Sequence, residues 1–278
     1  MNTIVQNVID VVKGRKAFPR IYGVERSGDG IAFIPPKPFT DLYEEREHRK
    51  KQLAAAFRLL ARNGVEPGLN GHVTVRDPID TDGLWINPIG VAFSQIKASD
   101  LVRVDGSGKA VEGDGPINVA GLPIHLTLQK AHTHVVGIIH AHSFHGQAWS
   151  TFGQPIEPLI DDFSLFHDDQ FVFVPHAFPD ETSEGRRTRF VNTFIDKNIV
   201  IWKNHGHWAV GRSVESAAWR FIAFELAAKF QLTVHSSGRP YSLARPADYT
   251  PEQRESLAAL NFLPYWDHII ALEPDLQN

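Results

Sequence analysis

The 278-residue sequence contains no cysteine. That single absence excludes disulfides, thiolate metal ligands and a cysteine nucleophile together. Long apolar runs are also missing, so no segment reads as a bilayer-spanning helix. The opening MNTIVQNVIDVVKGRK is interrupted by acidic Asp10 and has no clear cleavage site after it, so it does not read as a secretory leader. Charge of one sign is lacking too: 28 basic against 32 acidic residues leave a formal charge of −4. Nothing in that balance attracts nucleic acid or an anionic membrane. The basic cluster from Arg46 to Lys51 lies on a helical pattern and reads as a solvated face. Internal repeats, low-complexity segments and linkers are absent. The expectation is a cytoplasmic chain with a small-molecule partner, forming a single domain over 1–278 with an N-terminal arm (1–39) and a C-terminal tail (238–278).

What the chain does have is histidine, fourteen in all, within a 42% hydrophobic composition that can bury a sizeable core. A short helix is expected near Ile4–Val12. A long helix follows from Asp41, with Thr40 as N-cap, Glu44 and Glu45 in its first turn and Gly64 just past its end. Alternation predicts strands around Val73 and Val75, over 84–90 and over 171–175, and a hairpin over 100–111. Helices are expected over 121–132, 145–152 and 184–197, and from a Ser213 cap to Ser236. One or two short helices end the tail. Strands and helices mix without regular βαβ units. That indicates a sheet covered by helices on both faces, not a dinucleotide-binding fold.

The run Val135–Ser150 organises the chemistry. A β-branched strand ends in His140-Ala141-His142, and residues two apart on a strand share a face. Two imidazoles side by side can hold one face of a metal ion. A third ligand must come from elsewhere: His205 follows the apolar strand 199–202 and precedes Gly206, which permits close backbone approach, and His207 competes with it. His125 reads as a residue supporting the ligands from behind, a pocket residue or a plain core histidine. His72, His132, His134, His167 and His176 have no spacing that singles them out. Three neutral imidazoles would leave a divalent ion its full charge and open positions, a catalytic arrangement rather than a structural one. From ligand type alone zinc is favoured.

The order G-x-x-N-G-H-V-T-V-R, I-N-P-x-G, P-x-x-x-H, H-x-H-S and N-H-G, spread over residues 40–237, resembles the class II aldolase/adducin family. The resemblance implies an α/β fold, a three-layer α/β/α sandwich with a mainly antiparallel central sheet. It further implies a homotetramer with sites between subunits and a catalytic metal on His140, His142 and His205. Two departures stand out. Where the family's sugar-phosphate aldolases carry an acid/base glutamate, four residues before the helix histidine, this chain has Gly121. Their phosphate-binding serines and Thr-Gly pair are replaced by Val119-Ala120 and Ile89-Gly90.

The lost glutamate and overall layout are similar to family members of aminocoumarin-antibiotic pathways, non-haem Fe(II) oxygenases that use O2 to cleave prenylated 4-hydroxyphenylpyruvate through a mandelate to a benzoate. By that resemblance the substrate is an aromatic 2-oxo acid, with Asn118, His125, Trp149, Phe163 and Phe166 as candidate contacts. Lys97, Arg76 or Lys130 could meet its carboxylate. The alternative is a zinc- or manganese-dependent aldolase or decarboxylase in which Asp161, Asp162 or His207 moves the proton; Asp162 and His207 lead that catalytic set. A non-enzymatic adducin-like module is the third reading, and the retained histidine set argues against it.

Overall fold

Alternation builds the sheet. In the strand Gly71–Arg76, Val73 and Val75 turn to one face while His72 and Thr74 turn to the other. The computed structural model describes residues 23–27, 30–34, 39–246 and 248–278. Within the first 40 residues, which form a unit of their own, β1 (Gly23–Ser27) and β2 (Gly30–Ile34) pair as an antiparallel hairpin. The helix expected near residues 4–12 lies outside the described residues.

The second unit, residues 41–278, holds an eight-stranded sheet. Its strands are β3 (Gly71–Arg76), β4 (Leu84–Ile86), β5 (Val102–Val104), β6 (Ala110–Glu112), β7 (Gly137–Ala141), β8 (Gln170–Phe173), β9 (Ile199–Trp202) and β10 (Gly206–Gly211). They lie in the order β6-β5-β4-β3-β7-β10-β9-β8. Every neighbouring pair is antiparallel except β8, which runs parallel to β9.

Helices cover both faces. Val73, Val75, Ile139, Ala141 and Ala209 pack under α1 (Leu42–Arg62), α5 (Val214–Ser236) and α6 (Pro251–Leu272). The short α3 (Phe144–Ser150) joins this layer through Trp149, which meets Ile199, Ile201 and Phe224. On the opposite face Ile138, Val200, Trp208 and Val210 pack with Leu128 of α2 (Leu122–Ala131) and with Phe190 and Val191 of α4 (Ser183–Asn192). The fold is an α/β/α sandwich.

Three details differ from the expectations. The cap of α1 is Asp41, whose Oδ1 accepts the Tyr43 N–H at 2.7 Å, and not Thr40. Helix α4 stops at Asn192, short of Lys197. The C-terminal region is no loose tail of short helices, since α6 runs unbroken for 22 residues through Pro264. An interior proline costs a helix about 3 kcal/mol. Phe262, Trp266, Ile269 and Ile270 are buried against α1 and α5, and full burial of such a side chain contributes roughly 1.5–3 kcal/mol. Packing therefore outweighs the break.

Asp77 ties the first helix to the sheet. It accepts two bonds from Arg46 (2.7 and 2.9 Å), one from Trp85 Nε1 (2.7 Å) and the N–H groups of Ile79 and Asp80. Burial opposes its ionisation, but these donors outweigh burial and hold the carboxyl below its ordinary value of 3.8. A carboxyl lowered in the folded state contributes stability above its unfolded pKa and loses it as pH falls through the folded value. The stability gap between the wild type and Asp77→Asn is thus expected to be widest at neutral pH and to shrink below about pH 4. Urea midpoints measured from pH 7 downward check this; a gap independent of pH refutes it.

Candidate metal centre

Strand register sets a row of rings across the sheet. His140 of β7 stands opposite His72 of β3 on one side and Trp208 of β10 on the other. The His140 ring stacks on Trp208, with centroids 4.3 Å apart and planes 12° from parallel. His142 lies just past the end of β7, where its N–H bonds to the Asn70 carbonyl at 3.1 Å. His205 sits in the turn from β9 to β10. Asn204 makes that reversal with a φ of 62°, a left-handed conformation asparagine tolerates better than most residues. Gly206 follows with a φ of 150°. The nearest protein atom to a Cβ there would be 3.7 Å away, so within the chain the glycine serves backbone conformation.

These two segments bring His140, His142 and His205 together. One ring nitrogen of each lies within 4.8 Å of the others. The His205 Nε2 is 3.2 Å from His140 Nε2 and 3.4 Å from His142 Nε2. His140 Nδ1 is 2.9 Å from the His207 carbonyl, which can only accept. The proton therefore sits on Nδ1, and Nε2 turns a lone pair toward the other two rings. A ligating imidazole oriented by a carbonyl behind it is the usual support of a metal site. Burial lowers the pKa of all three; neighbouring imidazoles add to the effect on His140 and His205. The donor set fits a divalent ion: three neutral nitrogens converge, and no carboxylate is among them.

Behind the trio lies a chain in which the sequence reading named His125 but missed His72 and Thr74. His72 Nδ1 is 2.6 Å from His125 Nε2, and His125 Nδ1 is 2.7 Å from Thr74 Oγ1. Both nitrogens of His125 are thus engaged within the protein, so it supports His72 instead of facing substrate. Burial, with His142 and His205 nearby, pushes the His72 pKa down to about 4. The His72 ring also occupies the space beside Gly121: a Cβ at 121 would lie 2.4 Å from its Nε2. An acidic side chain at this position has nowhere to go unless His72 moves.

The other sequence-nominated residues lie elsewhere. His207 points through the sheet to the opposite face, stacked on Phe221 (4.0 Å) and beside Phe224 (4.4 Å), with Nε2 3.3 Å from the Phe221 carbonyl. Neighbouring strand residues alternate in face, so a residue two past His205 gains no common face once the turn ends at Gly206. Asp161 and Asp162 are exposed on the one-turn helix Asp161–Phe166, and no described hydrogen bond or ion pair joins them to the trio. Trp149 and Phe163 pack in the core beneath α5, on the face opposite His140. The Phe166 side chain lies outside the described residues. The aromatic rings near the trio are instead Trp208 and Trp202, the latter 5.5 Å from His205. Asn118 accepts the N–H groups of Ala120 and Gly121, both at 3.1 Å, and shapes the entry to α2. Arg76 donates to the carbonyls of Gln129, His132, Val135 and Thr81 and is consumed structurally.

A cluster of convergent histidines on an α/β/α sandwich defines a class of metal-binding enzyme folds. The chain belongs to the Class II Aldolase and Adducin N-terminal domain family, whose profile matches residues 51–232. It is 36% identical to the Meiotically up-regulated gene 14 protein of Schizosaccharomyces pombe, over 72% of this chain and 77% of that one. It is 34% identical to Decarboxylase NovR of Streptomyces niveus, over 88% of this chain and 92% of the relative. A 4-hydroxy-3-prenylphenylpyruvate oxygenase/4-hydroxy-3-prenylbenzoate synthase of Streptomyces roseochromogenus subsp. oscitans is 33% identical, over 88% and 90%. Among solved structures, L-fuculose 1-phosphate aldolase from Glaciozyma antarctica PI12 superposes with a TM-score of 0.73 at 28% identity, covering 87% of this chain and 96% of that one.

Proposed function

We propose that this chain is a non-haem Fe(II), O2-dependent oxygenase that oxidatively decarboxylates an aromatic 2-oxo acid of the prenylated 4-hydroxyphenylpyruvate type. The observation that supports this reading most is the pairing of a three-histidine site with His72 in the space an aldolase glutamate needs. His140, His142 and His205 would hold the ion. Bound there, iron supplies Lewis-acid and redox chemistry. The protein's own share is different. His140, fixed by the His207 carbonyl, and the turn bearing His205 set the geometry. His72, held by His125, which Thr74 holds in turn, occupies the side from which a carboxylate base at position 121 would act.

The proposed balance is one O2 per carbon–carbon cleavage. The arylpyruvate and O2 give the mandelate and CO2; the mandelate and a second O2 give the benzoate, CO2 and water. We place the reaction in a cytoplasmic homotetramer. Exposed Phe144 and Val119, on either side of the histidine segment in sequence, are suited to burial between copies. The second reading is a zinc- or manganese-dependent lyase, an aldolase or decarboxylase on an unphosphorylated substrate. The superposition on an aldolase favours it.

Supplying Fe(II), O2 and 4-hydroxyphenylpyruvate, with and without a 3-prenyl group, to protein purified anaerobically separates the two. The expected result is O2 uptake with mandelate and benzoate identified by mass. Equal turnover under strict anaerobiosis, or with zinc, assigns the lyase instead.

A further inference from the structure

Helices α2 and α4 leave a cleft between them on the same sheet face as His140. It is lined by Ala120, Pro123, Ile124, Ser183, Arg186, Arg187, Phe190 and Trp202, with a volume of about 190 Å³. Its inner wall continues into the metal centre. The Trp202 ring lies 4.7 Å from Phe190 and 5.5 Å from His205, and Phe190 lies 5.2 Å from Trp208, the ring that stacks on His140. A cavity of about 150 Å³ holds one benzene ring, so this cleft has room for an aromatic ring.

The charge in the cleft is only partly paired. Arg186 Nε is buried and has no hydrogen-bond partner among the described residues. Its closest carboxylate, Glu181, is 3.8 Å away and already accepts two 2.8 Å bonds from Arg189. Arg187, one residue on, forms no ion pair among the described residues. Two guanidinium groups above an aromatic wall match a planar anion carried on a ring, because the guanidinium fork pairs bidentately with carboxylate. An unpaired buried donor is costly until it finds such a partner.

We infer that this cleft is the recognition site for the substrate's anion: an aromatic carboxylate whose charge is taken by Arg186 and Arg187 and whose ring lies against Trp202 and Phe190. The inference deepens the proposed function, on which its naming of the substrate class rests. It assigns specificity to α4, a helix that carries no metal ligand. It also accounts for the exchange of a phosphate cradle near Val119-Ala120 for an apolar cleft floor.

Calorimetric titration of metal-stripped protein with 4-hydroxyphenylacetate, against the uncharged 4-hydroxyphenylacetamide, tests it without turnover. The acid is expected to bind at least tenfold more tightly than the amide. Arg186→Met and Arg187→Met should each weaken the acid about tenfold and leave the amide unchanged, while Arg186→Lys recovers part of the loss. His142→Ala should bind the acid like the wild type. Equal binding of acid and amide, or full acid affinity in both arginine variants, overturns the inference. So does loss of acid binding in His142→Ala alone, which places the anion at the histidines. Because no metal or O2 enters the titration, a failed oxygenase assay leaves this result standing, and the reverse also holds. Unchanged thermal midpoints for the methionine variants confirm that folding is not what is being read.

Discussion

Replacing His142 by alanine is expected to abolish metal retention and turnover together while the sandwich stays folded. The reasoning is geometric. His142 lies past the end of β7 and is only partly buried, so its ring supports little of the core. His140, by contrast, is buried between Trp208 and His72. Removing it would leave a cavity and confuse loss of ligand with loss of packing. With His142 gone, only His140 and His205 remain, and two imidazoles hold a divalent ion poorly. The prediction is a circular dichroism spectrum and melting midpoint close to wild type, with bound metal and product both lost. His205→Ala should behave alike. A His142→Ala protein that keeps stoichiometric metal and normal rates would falsify the ligand assignment.

The second large effect is expected from a residue that is not among the candidate metal ligands. Glu225 on α5 reaches across to the start of α3. Its Oε1 accepts the His145 N–H at 2.9 Å and pairs with His145 Nδ1 at 2.8 Å, while Oε2 accepts the Gly146 N–H at 2.7 Å. Helix α3 has no side-chain cap of its own, so a carboxylate from another helix satisfies its first donors. Leaving a buried N–H unpaired costs about 1–3 kcal/mol. Glu225→Ala strands two of them and is expected to destabilise the fold by about 2–4 kcal/mol, with Glu225→Gln losing less. Because α3 begins two residues after His142, metal affinity should fall as well. Chemical denaturation and metal titration of the two variants check both halves; stability equal to wild type for Glu225→Ala overturns the capping argument.

Much of the site could be read from local pattern. The H-x-H at a strand end is a short-range signal for two of the rings; local pattern left His205 and His207 competing for the third, and only the family resemblance singled out His205. The strands and most helices were legible for the same reason, since alternation and capping are local. What was not legible depends on contacts across the sheet. Trp149 and Phe163 follow the metal strand in sequence, yet the chain crosses to the other face, so proximity in sequence misplaced them. Glu225 meets His145 from 80 residues away. His72 did carry a signal: with Val73 and Val75 facing the core, parity sends His72 and Thr74 to the opposite side. The register of β3 against β7 was needed to bring His72 beside His140. Helix α6 was foreshortened because nothing local reveals the core that carries it through Pro264.

One feature of the ring row sets how the centre can adapt. His140 lies flat on Trp208, 12° from parallel, and its Nδ1 is 2.9 Å from the His207 carbonyl. A buried ring stacked on an indole and tethered at one nitrogen keeps its orientation in a close-packed layer. Any adjustment to a larger ion or an incoming molecule must come from its two loop-borne companions. The middle imidazole is the fixed hub of the centre, and the other two are its moving jaws.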